Sequence, residues 1–122
     1  MPRAIGRLQE RKDFLRIAAG RRKWVAPGLI LQVVPATRPD LAGGHAEGRR
    51  IGFTASKKVG NAVIRNRARR RLRAAVQQVM AVHAAARHDY VLIARNETPE
   101  RSYALLVEDL RVALKRLGVW RD

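Results

Sequence analysis

Between Glu47 and Asp89 the chain has no aspartate or glutamate, yet eleven Lys or Arg residues fall there. Eight of them lie in Ser56–Arg73, which reads S-K-K-V-G-N-A-V-I-R-N-R-A-R-R-R-L-R. From Asn61 onward the apolar spacing is helical. At about 100° per residue, Ile64, Ala68, Leu72, Ala75, Val79 and Val82 share one narrow stripe. Arg65, Arg69 and Arg73 run down one flank of that stripe, Arg67 and Arg71 down the other, and Asn66 and Arg70 lie roughly opposite. One face therefore needs a core, and every other direction presents guanidinium groups. Packed this closely, they repel one another unless a polyanion lies over them. A solvated charged face usually mixes signs, and this one does not. Arginine's planar fork also suits phosphate oxygens. The stretch predicts a helix that contacts nucleic acid.

The rest of the chain agrees with that reading. Its 122 residues suffice for a single domain, 1–122, with one modest core. The formal net charge is +16, and the eight charges of the basic stretch account for only half of it. A surface basic throughout suits an extended polyanion better than a small acidic ligand. With no cysteine, disulfides and Cys-based zinc sites are excluded. No apolar run approaches the ~20 residues of a membrane span, and the first residues lack the apolar block of a signal peptide. The expectation is a soluble protein of the cytoplasm with no membrane partner.

Met1–Gln9 is basic and poorly periodic. Arg11–Ala19 reads as a short helix with Phe14, Ile17 and Ala18 on one side and Gly20 as its stop. Arg21–Val25 predicts a short strand. Leu29–Val34 is apolar except for Gln32, long enough for a buried strand and too short for a helix. Pro35–Arg49, with two Pro and three Gly, predicts a loop carrying an exposed His45. Arg50–Ser56 alternates Ile51, Phe53 and Ala55 against Gly52, Thr54 and Ser56, the pattern of a strand with one covered face. Lys57–Gly60 turns into the basic helix, Asn61 caps it, and the helix is expected to reach about Ala86. Tyr90–Ala94 predicts another buried strand. After a turn at Asn96–Pro99, with Thr98 as cap and Pro99 at the first helical position, a closing helix spans Glu100–Leu117. It is expected to bury Tyr103, Leu106, Leu110 and Leu114 or Val107. Trp120 fits either a tucked or an exposed place.

The predicted order, α-β-β-β-α-β-α, is an α+β sandwich with helices on a mixed sheet of roughly four strands. Parallel pairing of Arg50–Ser56 with Tyr90–Ala94 makes the basic helix the crossover of a βαβ unit. Base rates give such a unit a right-handed crossover.

The run V-G-N-A-V-I-R-N-R-A-R-R-R-L-R at Val59–Arg73 resembles the signature of the bacterial ribonuclease P protein subunit, whose helix is named for its R-N-R triplet. Here the triplet is Arg65-Asn66-Arg67, preceded by Gly60-Asn61-Ala62-Val63 and followed by Arg69, Arg70 and Arg73. The likeness extends through Arg50–Lys58 and, weakly, to both ends. Arg69 stands where the family often has Lys. The resemblance implies a left-handed βαβ crossover, the opposite of the base rate. It also implies Lys57, Lys58, Arg65, Asn66, Arg67, Arg69, Arg70 and Arg73 as RNA-binding residues. Asp13-Phe14 matches the family's D-F pair on an opening helix that borders a cleft for the single-stranded 5′ leader of precursor tRNA. Phe14 fits base stacking there and fits a core position equally well. Family members often place a second aromatic where Ala18 stands, and some place one where Gln32 stands, so stacking in this chain should be thinner. Arg65 and Arg69, flanking the apolar stripe, are expected beside the sheet at that cleft. Arg67 and Arg70, pointing further out, are expected to have open access to a large folded RNA.

Catalysis by the chain alone is not expected. Metal-assisted phosphodiester hydrolysis needs converging carboxylates, and the ten acids are scattered. His45, His83 and His88 lack metal-ligand spacing, and His83, near the edge of the apolar stripe, reads as a packed histidine. Gly43-Gly44 and Gly60 match no phosphate-loop pattern. The resemblance assigns the active site and its Mg²⁺ to the large RNA subunit. It also implies a protein that is a monomer in the holoenzyme, binds that RNA and precursor tRNA, and has no cofactor of its own. The alternative is a structural ribosomal-type RNA-binding protein, equally small, basic and cysteine-free.

Overall fold

The computed structural model describes residues 5–36 and 49–122. The expected loop, His45 and Gly43-Gly44 fall largely or wholly outside those residues. The elements are β1 (Gly6–Arg7), α1 (Arg11–Ala19), β2 (Lys23–Val25), β3 (Leu29–Pro35), β4 (Arg49–Thr54), α2 (Ala62–His83), β5 (His88–Ala94) and α3 (Tyr103–Arg116). They build one mixed sheet in the order β1-β4-β5-β3-β2. β4 pairs in parallel with β5, so α2 is the crossover of a βαβ unit. β3 runs antiparallel to β5, and β2 antiparallel to β3.

Strand alternation sorts the side chains into two layers. Leu29, Leu31 and Val33 of β3, Ile51 of β4, and Tyr90 and Leu92 of β5 face α2 and α3. Leu72, Val79 and Met80 of α2 and Leu110 and Leu114 of α3 meet them there, all fully buried. Each such Leu contributes about 1.5–3 kcal/mol through its removal from water. Among the described helices only α1 covers the other face, where Ile17 joins Leu8 and Val91, with Phe14, Val34 and Ile93 packed around them.

Two glycines permit close approaches. A Cβ on Gly28, in the β2–β3 turn, would lie 2.6 Å from both Leu106 and Asp109 of α3. Its N–H instead donates to Asp109 Oδ2 at 3.0 Å. A Cβ on Gly52 would lie 2.5 Å from Phe14 Cζ, so the absence of a side chain there seats the Phe14 ring on the sheet.

The structure departs from sequence expectation at several boundaries. The sheet has a fifth strand, since Gly6 and Arg7 pair in parallel with Arg50 and Ile51; two residues carry too little periodicity to be seen. β2 starts at Lys23 because Arg21 takes a left-handed φ of 57° just after the cap of α1. α2 stops at His83, where Ala84 bridges to Trp120 and the Ala85 N–H donates to Val119 O. Trp120 is thereby tucked, its ring 4.1 Å from that of His83 and nearly parallel to it. The stripe of α2 is buried at Ala68, Leu72, Ala75 and Val79, whereas Ile64 and Val82 at its ends are 37% and 43% exposed. α3 begins at Tyr103 rather than Glu100, because Thr98 does not cap it. Thr98 Oγ1 accepts from the Arg95 N–H and donates to Gly28 O, closing a turn before the helix. Tyr103 is 37% exposed, its hydroxyl donating to Gln78 of α2 rather than entering the core.

Candidate nucleic-acid interface

Asn61 sets where α2 begins: its side-chain oxygen accepts from the Ile64 N–H at 3.0 Å, satisfying one of the unpaired donors of the first turn. The preceding turn is closed by Val59 N–H to Ser56 O and Gly60 N–H to Lys57 O. A helix N-terminus ordinarily favours acidic residues, yet the first turn of α2 has none. Lys57 and Lys58, both exposed, add positive charge to that end.

The packing of α2 divides its arginines into three tracks. Toward α3, Arg67 Nε donates to Pro99 O at 2.9 Å and its Nη2 lies 3.6 Å from the exposed Glu100 carboxylate. One turn on, Arg71 donates to Thr98 O and Arg101 O. These two bracket the turn that leads into α3. Toward β4 and β1, Arg73 lies over the Phe53 ring, 5.4 Å from its centroid. Arg69 and Arg65 precede it by one and two turns on that flank. Arg69 donates to Asn66 Oδ1 at 3.0 Å, and Arg65 Nε is buried with no partner among the described residues. Outermost, Arg70 is exposed and makes no ion pair among the described residues. The open access expected for Arg67 is thus reduced by its bonds to the turn, while Arg70 keeps it.

Phe14 and Gln32 belong to the opposite face. Gln32 stands on β3 between Lys23 and Val91 in register, on the side covered by α1. Phe14 is half-buried against Gly52, so it is both a packed residue and a wall of the open part of that face. Arg65 and Arg69 ride on α2, which packs on the other side of the sheet. They do not stand beside Phe14 as expected, because α1 and α2 cover opposite faces. Lys58, with Ser56, Ile30 and Arg95, lines a hollow at the end of the sheet.

α1 is held by charge as well as by packing. Asp89, fully buried, accepts from Arg16 at 2.6 Å and from Arg50 at 2.9 and 3.1 Å. The Asp89 hydrogen bond raises the Arg50 pKa above the ordinary guanidinium range. Burial likewise pushes the Tyr90 phenol up, and its hydroxyl donates to Ala85 O. Sequence reasoning missed Arg16, Arg50, Asp89 and the bracing by Arg71. The only signal was that Asp89 is the first acid after the acid-free span, and its partners lie 39 and 73 residues away.

The donors for a metal are few. Among the described residues no three His, Asp or Glu side chains gather where they could hold an ion. Asp89 is engaged as above, and Asp109 accepts from Arg101 at 2.7 Å and from Gly28. Among the described residues no helix is long and apolar enough to cross a membrane.

The family model described as Ribonuclease P matches residues 1–118. The ribonuclease P protein component of Paramagnetospirillum magneticum is 61% identical over 97% of this chain and 86% of its own length. That of Gluconacetobacter diazotrophicus is 48% identical over 93% of this chain and 91% of its own. Among solved structures, a Staphylococcus aureus RNase P protein mutant superposes with a TM-score of 0.74 at 26% identity, covering 93% of this chain and 88% of that one. The Thermotoga maritima RNase P protein has the same fold, with a TM-score of 0.71 at 24% identity over 90% of this chain and 96% of that one. The chain belongs to the bacterial ribonuclease P protein family.

Proposed function

We infer that this chain is the protein subunit of a ribonuclease P holoenzyme that removes 5′ leaders from precursor tRNAs, with the active site on the RNA subunit. The observation that carries the reading is the absence of carboxylates on α2, which among the described residues leaves a row of guanidinium groups without counter-charge beyond the Arg67–Glu100 pair. Only a polyanion relieves their mutual repulsion. Lys57, Lys58, Arg65, Asn66, Arg69, Arg70 and Arg73 dock the RNA subunit, and Arg67 joins them while holding the α3 turn. Family membership favours this over the ribosomal-type alternative.

The opposite face serves the substrate. Phe14 and Gln32, with Lys58 at the sheet end, line a path suited to a single-stranded leader: an aromatic plane, an amide and a cation. Among the described residues, Asp89 and Asp109 are engaged by guanidinium and backbone donors, and no three His, Asp or Glu gather where they could hold an ion. This supports the reading in which Mg²⁺ belongs to the RNA-containing holoenzyme and the chain contributes binding and orientation.

Reconstitution tests the reading. RNA subunit plus protein should cleave precursor tRNA at the mature 5′ end with tighter substrate binding than RNA alone. The protein rigorously freed of RNA should not cleave. Specific cleavage by the RNA-free protein would overturn the assignment.

A further inference from the structure

A second aromatic–arginine arrangement lies away from Phe14, on the α2 face of the sheet. Between β1 and α2 runs a groove of about 520 Å³, within the ~300–1,000 Å³ of small-ligand clefts. Its floor is apolar: Ile51, Phe53 and Val76. Its rim is Arg7 on one side and Arg73 with Gln77 on the other. Arg73 and Gln77 are four residues apart and so share one side of the helix. Arg73 lies over the Phe53 ring, 5.4 Å from its centroid, and a planar guanidinium suits a second flat π-system. Among the described strands β1 is outermost, with a sheet partner on one edge only. Arg7 is exposed and makes no ion pair among the described residues.

We propose that this groove is a nucleobase pocket that takes one unstacked base of the RNA lying across α2. The base stacks on Arg73, completing a Phe53–Arg73–base pile. Gln77 presents an amide to the base edge, and Arg7 across the groove holds the adjoining phosphate. Charge complementarity selects the occupant: an apolar floor alone would suit any hydrophobic group, but two arginines and an amide on its rim suit a base with its phosphate. The proposal rests on α2 being an RNA-binding helix. It adds that one position on that helix reads a base rather than the backbone.

The test uses the full chain and two probes, AMP and ribose 5-phosphate, followed by amide NMR. AMP should shift the amides of Gly6, Arg7, Arg73 and Gln77, whereas ribose 5-phosphate at the same concentration should shift them far less. Gln77→Ala and Arg73→Lys should each weaken AMP binding by about tenfold. Equal shifts from both probes, or none from either, would overturn the proposal. The RNA-subunit affinity gives a second readout. Arg73→Lys keeps the charge but loses the plane, so it should weaken binding as much as Arg73→Ala, about tenfold. If Lys restores wild-type affinity, Arg73 contacts only phosphate and the pocket is wrong. If Arg73→Ala also leaves affinity unchanged and salt dependence is shallow, it is the RNA-binding reading of α2 that fails.

Discussion

Arg16 donates to Asp89 at 2.6 Å, joining the middle of α1 to the start of β5 across 73 residues of sequence. Arg50 of β4 reaches the same carboxylate, so Asp89 fixes α1 against two parallel strands at once. Phe14 lies half a turn from Arg16, and the position of its ring depends on this anchor. The Arg50 pKa is raised; its share of the stability is complete at neutral pH and is lost only as pH rises past the guanidinium range.

Asp89→Ala should therefore destabilise the fold by about 3 kcal/mol, as expected when a buried ion pair loses one partner. It should also weaken leader-dependent substrate binding while affinity for the RNA subunit changes less. Urea unfolding and substrate affinity measured with two leader lengths check this. Unchanged stability would show that the apolar contacts of Ile17 alone hold α1.

Neighbouring arginines of α2 should separate by role. Arg71→Ala removes donors to Thr98 O and Arg101 O and should cost about 2 kcal/mol of folding stability. Arg70→Ala should leave stability within ~0.5 kcal/mol but weaken RNA-subunit binding by about 1–3 kcal/mol. Thermal unfolding and RNA affinity, measured on both variants, give opposite orderings if the tracks are assigned correctly.

Phe14→Ala should abolish the dependence of substrate affinity on leader length, a loss of about 1–3 kcal/mol if the ring stacks a base. Assembly with the RNA subunit should stay near wild type, because Phe14 and α2 occupy opposite faces of the sheet. Equal losses in both affinities would mean that the two faces act as one electrostatic surface.

Tyr90 predicts an alkaline limit to stability. In the unfolded chain a phenol ionises from about pH 10 upward, whereas burial keeps the Tyr90 hydroxyl protonated well beyond that. The folded state then holds the extra proton, so stability present below pH ~10 falls as pH rises further, by up to ~1.4 kcal/mol per unit. Tyr90→Phe should lose about 1 kcal/mol at neutral pH, through the missing bond to Ala85 O, and should remove that part of the alkaline slope. Unfolding at pH 8 and pH 10.5 compares the two.

Much of the architecture was legible because it rests on local periodicity. The strands of β3, β4 and β5, the start of α2 at Asn61 and the buried Leu106, Leu110 and Leu114 follow from alternation, capping and helical spacing. What escaped depends on distant partners. Thr98 has the side chain of a cap, yet Gly28, 70 residues away, claims its hydroxyl. Tyr103 has the spacing of a core residue but meets Gln78 at the surface. The basic character of α2 was plain from the missing acids. The division of its arginines into braces and free groups was not, since it depends on where the Thr98–Arg101 carbonyls point. Nor did sequence show that α1 and α2 cover opposite faces, which separates Phe14 from Arg65 and Arg69.

The salt dependence of affinity for the RNA subunit tests the central claim most directly. If RNA covers α2, Lys57, Lys58 and the unbraced arginines should together neutralise about five to seven phosphates. At ~0.7 released counterions per contact on single-strand-like sites, log affinity should fall against log salt with a slope of about −3.5 to −5. Arg70→Ala should make that slope shallower by about one contact. A wild-type slope shallower than about −2, unaltered in Arg70→Ala, would contradict the account of α2 as a helix covered by RNA.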